Sequence, residues 1–248
     1  MSQKGYEMNI TAFITVRSTS SRLNQKCFLE LGDVPVLEHV VRRCLLADID
    51  PIICTTDEYE DDKIVKLAKS LNIKFFRGSK LNKILRWTEC CKFYDIKEFH
   101  TIDADDPFFC PEEVHRSMSL LSKGFDIVEP TISSSEGGAT VGFSITSRAI
   151  NLVNNSISKN TDTEMVWNFY KNNDIKINIT KLPEPEKYVF KPRLTLDYYE
   201  DYILIQLVRH ILGPNPKRKE IYNLFQRNKD LHLINNFRND EWKKNQNK

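Results

Sequence analysis

Short apolar runs alternate with amphipathic stretches along the first half of the chain. Residues 9–16, NITAFITV, are β-branched and mostly apolar, which predicts a strand. Residues 17–26, RSTSSRLNQK, are polar and basic and read as a loop. Val36, Leu37, Val40, Val41, Cys44 and Leu45 then recur at helical spacing. Residues 51–55, PIICT, form a second apolar run, and Ile64, Leu67, Ala68 and Leu71 mark a second amphipathic helix. A third strand is expected at 73–76, a helix at 81–94 and a fourth strand at 98–102. Strand and helix alternate at the spacing of βαβ units. The pattern therefore predicts an α/β fold, a Rossmann-like, mostly parallel sheet flanked by helices.

The second half is less regular. A helix is expected over 111–123, then strands at 126–129 and 139–146 around the polar cluster ISSSEGG. Residues 147–173 read as two helices and 176–182 as a strand, followed by the proline-punctuated connection LPEPEKYVFKP. RLTL (193–196) reads as a strand, and Leu204, Leu207, Val208 and Ile211 mark a closing helix. The polar tail from about 239 is expected to fray. Residues 1–248 are read as a single domain, with a core at 9–129 and 191–230. The stretch 130–190 breaks the alternation and is taken as a small inserted α+β region.

Composition narrows the function. The 248 residues include 36 lysines and arginines against 34 aspartates and glutamates, a net charge of +2. That balance argues against general nucleic-acid binding. The chain has only 8 glycines and none between 6 and 31, so no GxGxxG or GxxxxGK[ST] follows the first strand. Any phosphate site is built by other means. The 6 cysteines include no CxxC pair, and several sit in apolar runs, which suits a reducing, cytoplasmic compartment. The N-terminus has no signal-peptide pattern. No run approaches the roughly 18 apolar residues of a membrane span.

Four segments carry candidate chemistry. Arg17, Ser18, Ser20, Ser21, Arg22 and Lys26 follow the first strand, where open α/β sheets bind ligands. Cations and hydroxyls there suit a polyphosphate; the plain alternative is a solvated basic turn. In HTIDADDPFFCP (100–111) an apolar strand ends in Asp103, Asp105 and Asp106. Asp103 and Asp105 share a side of an extended segment. Hard carboxylate oxygens suit Mg²⁺ or Mn²⁺, while capping and turn formation are the simpler use of Asp106. Asp197 in TLDYYED follows an apolar run directly, as a cap or as a further carboxylate at the same end of the sheet. Arg77 and Gly78 follow the third strand, and Arg86 lies on the next helix. The five histidines show no paired ligand spacing.

Taken in order, these segments resemble the cytidylyltransferases of the spore-coat-polysaccharide SpsF type, relatives of the CMP-Kdo and CMP-sialic acid synthetases. The family's first loop reads like A-R-M-G-S-[ST]-R-L-P-G-K; here it is Val16-Arg17-Ser18-Thr19-Ser20-Ser21-Arg22-Leu23-Asn24-Gln25-Lys26. Val34-Pro35-Val36-Leu37-Glu38-His39, Thr55-Thr56-Asp57, Phe76-Arg77-Gly78-Ser79 with Arg86, Asp103-Ala104-Asp105-Asp106-Pro107 and Thr195-Leu196-Asp197 match its later motifs. The resemblance spans 9–125 and 193–208 and is faint over 130–190. Thr19 replaces a glycine and Asn24-Gln25 a Pro-Gly, so the loop has less backbone freedom than in relatives, although asparagine can visit the left-handed region.

The resemblance implies a nucleotidyltransferase fold and transfer of CMP from CTP to an acidic sugar-like acceptor, with release of pyrophosphate. It implies Mg²⁺, or Mn²⁺, on Asp105 and Asp197. It places Arg17 and Lys26 on the triphosphate with Arg22, Ser18, Ser20 and Ser21 in the loop. Arg77 and Asp103 are placed in the nucleotide pocket; the cytosine amino group needs an acceptor, which either backbone carbonyls near strand one or Asp103 could supply. Arg86, Ser144 and Glu164 are acceptor-site candidates, and the inserted region is expected to support a homodimer. Two alternatives stay open: a GT-A-type glycosyltransferase, whose DxD pattern Asp103-Ala104-Asp105 also fits, and a non-catalytic nucleotide-binding relative.

Overall fold

The first apolar run folds as β1 (Ile10–Thr15), with all but one side chain buried. Burial on both faces puts such a strand inside a sheet. The structure, a computed structural model, describes residues 9–171, 175–185 and 191–246. The N-terminal residues 1–8 and part of the proline-punctuated connection, 186–190, lie outside the described residues. After β1 come a small hairpin, β2 (Glu30–Leu31) and β3 (Val34–Pro35), and helix α1 (Val36–Leu45). Then β4 (Ile49–Thr56), α2 (Asp62–Ser70), β5 (Lys74–Gly78), α3 (Lys83–Tyr94), β6 (Glu98–Asp103) and α4 (Pro111–Leu121) follow close to where the periodicity places them. Asn82 starts α3 by accepting the Leu85 N–H at 2.8 Å, and Pro111 opens α4 where no N–H is needed.

The chain continues through β7 (Ile127–Glu129), β8 (Ser144–Thr146), α5 (Ser147–Asn155), the single turn α6 (Trp167–Tyr170) and β9 (Ile179–Lys181). It closes with α7 (Tyr199–Leu212), α8 (Arg218–Arg227) and α9 (Arg238–Gln246). The seven-stranded sheet has the order β5-β4-β1-β6-β8-β7-β9. β5, β4, β1 and β6 are parallel, β8 runs antiparallel to both neighbours, and β7 and β9 are parallel. The sheet is thus mostly parallel and flanked by helices, with the nucleotidyltransferase-like architecture expected.

Alternation along β1 splits the core into two layers. Ala12 and Ile14 face α1, α2 and α4, whereas Phe13 faces α3 and α5. Phe13 stacks on Phe99 with ring centroids 4.1 Å apart, a pairing worth about 1 kcal/mol beyond burial. A third cluster joins the hairpin to α7 and α8 through Leu31, Val36, Leu204 and Phe225.

Three expectations are corrected. The strand expected over 139–146 pairs only at Ser144–Thr146. Just before it Gly142 runs so close to β6 that a Cβ there would sit 2.1 Å from the Thr101 carbonyl oxygen. RLTL is extended but joins no sheet: Leu194 N–H donates to the Gly137 carbonyl at 2.8 Å and Leu196 N–H to the Asp105 carbonyl at 2.8 Å. The tail does not fray at 239, because α9 is anchored by the buried Trp242.

Candidate active site

β1 and β6 lie side by side, with Thr15 opposite Asp103 at their carboxyl ends. From β1 the chain extends the sheet to one side through β4 and β5 and then crosses to β6 on the other, so the loops that follow β1 and β6 part and leave a crevice. A cavity of about 600 Å³ opens there. The basic loop forms one wall, the Asp103–Asp106 strand end the floor, and Asp197 arrives from the segment before α7. The Leu196–Asp105 backbone bond ties the last two parts together.

Lys26 is the centre of the site. Its Nζ donates to Asp105 Oδ2 and, at 2.9 Å, to Asp197 Oδ1. Arg22 adds a donor to the same Asp197 oxygen at 2.6 Å. Lys26 is delivered by Gln25, whose φ of 50° is left-handed. This is the position where the resembled family has glycine, so the loop keeps the turn and bears the strain. Burial alone would lower the Lys26 pKa, but Asp105 and Asp197 hold it above its ordinary value. Burial likewise works against the Asp197 anion, yet Lys26 and Arg22 keep its pKa below the usual range.

One oxygen from each of Asp103, Asp105 and Asp106 lies within 4.8 Å of the others. Asp103 ends β6 with its side chain exposed to the cleft; desolvation by the surrounding walls, reinforced by Asp105 against the opposing Lys83, pushes its pKa up to about 6. Asp106 is raised by burial and then by Asp105 and Asp103, with Thr195 donating a hydrogen bond that partly compensates. Asp105 and Asp197 offer hard oxygens, and an ammonium already sits between them. That arrangement fits a divalent cation such as Mg²⁺ or Mn²⁺.

Other residues expected at the site divide into two groups. Arg17, Ser20, Ser21, Arg86 and Glu164 line the cleft. Glu164 spans it, with Oε2 3.7 Å from Arg17 Nη2 and Oε1 3.5 Å from Lys83 Nζ. Lys83, then Arg17, hold its pKa below the usual range against partial desolvation in the cleft. Arg86 is buried, donates to the Ser79 carbonyl at 2.7 Å and leaves Nε without a partner. Ser18, Arg77 and Ser144 do not line it. Ser18 anchors the root of the loop, its N–H and Oγ both donating to Asp61 Oδ1 at 2.7 and 2.6 Å. Arg77 turns away to Asp62 at 2.6 Å and to the Thr56 and Glu58 carbonyls. Ser144 is buried in β8, against His100 Nδ1 at 2.8 Å and Ser117 Oγ at 2.7 Å.

The sequence reading missed Lys83, Trp87, Glu129, Tyr170, Lys171, Lys181 and Trp242, which also line the cleft. Lys83 opens α3 directly behind the third strand, and that placement was the available signal. At the far end Glu129 accepts from Tyr170 Oη at 2.9 Å and pairs with Lys171 at 2.9 Å. Glu129 faces Lys181 across the β7–β9 register.

Comparison with known proteins agrees with this geometry. An uncharacterised protein of Methanocaldococcus jannaschii is 29% identical over 237 residues, covering 92% of this chain and 95% of its own length. A cytidylyltransferase structure from Leptospira borgpetersenii superposes with a TM-score of 0.78 at 20% identity, covering 90% of this chain and 96% of that one. The structure of CMP:2-keto-3-deoxy-manno-octonic acid synthetase complexed with CTP gives 0.62 at 13% identity, covering 82% and 99%. These two share the fold. Residues 11–210 match the sequence profile described as cytidylyltransferase. With most of its length inside that profile, the chain belongs to the cytidylyltransferase family and is a nucleotidyltransferase.

Proposed function

We propose that the protein transfers CMP from CTP to an acidic sugar-like acceptor and releases pyrophosphate, in the manner of the SpsF-type enzymes of surface polysaccharide synthesis. The observation that carries this reading is the Lys26 ammonium held between Asp105 and Asp197 at the head of the cleft. Arg17, Arg22 and Lys26 bind the triphosphate, and Lys26 and Arg22 move from carboxylates to phosphates when it enters. Asp105 and Asp197 hold Mg²⁺ or Mn²⁺, which would orient the phosphates and offset their charge. Asp103 accepts from the cytosine amino group.

An acceptor oxygen then attacks the α-phosphorus in line. The new P–O bond forms as the bond to the oxygen bridging the α- and β-phosphates breaks, the bonding pair leaves with pyrophosphate, and the acceptor's proton passes to solvent. Charge spreads over the phosphoryl oxygens, so the residues contribute mainly position and electrostatic stabilisation. Arg86 and Glu164, with the far end of the cleft, form the acceptor subsite. The region 130–190 serves acceptor binding and dimerisation within a single domain working in the cytoplasm. It is built into the same sheet through β8 and β9. The test is pyrophosphate release from CTP with Mg²⁺ against a panel of sugar acids, with mass detection of the CMP adduct. Release with no acceptor in a broad panel, or an adduct from another nucleotide, overturns the reading.

A further inference from the structure

Asp197 is held from behind as well as from the cleft. It stands at the start of α7, just after an extended segment outside the sheet, so no β-ladder fixes it. A buried network does that work instead. Asp201 Oδ2 accepts the N–H groups of Asp197 and Tyr198 at 2.9 and 3.0 Å. Its carboxylate meets the Arg193 guanidinium through two bonds, Nε to Oδ1 at 2.9 Å and Nη2 to Oδ2 at 3.0 Å. Both side chains are fully buried. The same guanidinium lies 3.5 Å from Asp197 Oδ2, the oxygen that Lys26 and Arg22 leave free. Arg193 therefore touches Asp197 directly and, through Asp201, its backbone.

Three residues beyond the family-matched stretch 11–210 hold this pair, among them Asn239, whose Oδ1 accepts from Arg193 Nη1 at 3.3 Å. Asn235 donates to Asp201 Oδ1 at 2.8 Å and to the Arg193 carbonyl at 3.0 Å. Trp242 on α9 places its ring 5.2 Å from the Arg193 guanidinium and also lines the cleft. A buried arginine–carboxylate pair is costly to form and costly to break, so its geometry is strongly enforced. A carboxylate meant to share a cation must point in one direction, and its outer partners commonly set that direction.

We propose that Arg193, clamped by Asp201, Asn235 and Trp242, is a positioning residue for the Asp197 carboxylate, which makes the C-terminal segment a working part of the site. This rests on the reading of Asp197 as a cation ligand. The test uses Asn235→Ala, Trp242→Ala and Trp242→Phe in the full chain, since none of them changes charge. Mn²⁺ binding is followed through loss of the free-ion EPR signal, beside thermal midpoint and the CTP KM-against-kcat split. Asn235→Ala and Trp242→Ala are expected to weaken Mn²⁺ binding about tenfold and to lower kcat more than they raise KM, and Trp242→Phe to restore both. A lowered midpoint with unchanged Mn²⁺ affinity and kcat makes the network structural only and overturns the proposal. Asp197→Asn separates the two claims. If it weakens Mn²⁺ binding while the clamp variants do not, only the positioning role fails. If it too leaves binding unchanged, the reading of Asp197 as a ligand fails, and the positioning role with it.

Discussion

Lys26 illustrates how much one side chain decides here. Its ammonium neutralises two carboxylates that would otherwise repel each other at the mouth of a half-buried cleft. Lys26→Met is expected to lower CTP turnover by about 100-fold, the usual cost of removing one preorganised donor from a phosphoryl or acyl transition state. Lys26→Arg should not restore it, because a planar fork cannot replace a compact charge between two carboxylates. Steady-state pyrophosphate release measures both. Asp105→Asn is expected to abolish turnover in the same assay while CTP still raises the thermal midpoint. Gln25 is the opposite kind of residue, since its backbone matters more than its side chain. Gln25→Gly should stabilise the protein by about 1 kcal/mol, because a left-handed φ costs an ordinary residue that much and costs glycine almost nothing. Urea titration would detect the shift, and an unchanged midpoint would show that the loop carries no such strain.

At the scale of elements, Gly142 sets the distance between β6 and the wall of the cleft. Gly142→Ala would drive a methyl into the Thr101 carbonyl and should cost about 1–3 kcal/mol, read as a lower urea midpoint with unchanged m-value. The elements legible in the sequence were those with their own periodicity. β1, α1, β4 and α2 bury regular faces, and their residues announce it. RLTL was misread because apolar residues followed by an aspartate look the same whether their N–H groups find a strand or, as here, the loop carbonyls of Gly137 and Asp105. α8 carries no expectation from the sequence, and α9 reads as a frayed tail because a single tryptophan, not a stripe, anchors it. The basic loop and Asp105 are legible as a group because polar residues directly after apolar strands gather at one end of a parallel sheet, whereas Asp197 reaches them through the Leu196–Asp105 backbone bond and not from a strand end. Ser144 was placed at the acceptor site for its position in the insertion, but which way a hydroxyl turns in a short strand depends on partners such as His100 that sequence does not order. Lys83 and Trp242 escaped because their roles come from where helices dock.

For the whole molecule, the clearest acid sensitivity lies in the core. His100 is buried, donates through Nδ1 to Ser144 and accepts the Gly142 N–H at Nε2, which fixes a neutral ring. Burial lowers its pKa to about 3, and burial, then Arg43, lowers that of His39 to about 4. The unfolded chain protonates both near the ordinary value of about 6.5. Below that pH the unfolded state binds more protons, so stability is present in full above it and falls as pH drops toward the folded values. Asp103 and Asp106, raised in the folded state, act in the opposite sense over the same range, so the check is a difference: from pH 7.5 to 5 the midpoint of the wild type should fall relative to that of His100→Gln. Parallel midpoint curves for the two proteins would contradict the buried neutral ring of His100. The Lys26 bridge has one more consequence, and it concerns how a nucleotide arrives. Opposite charges paired at hydrogen-bond distance cancel well inside the Debye length of about 8 Å at physiological salt. The cleft thus projects little long-range field despite its many cations, and CTP meets their attraction only on contact. Stopped-flow association should depend weakly on ionic strength, and Asp197→Asn, which frees Arg22 and leaves Lys26 with Asp105 alone, should make capture faster and more sensitive to salt.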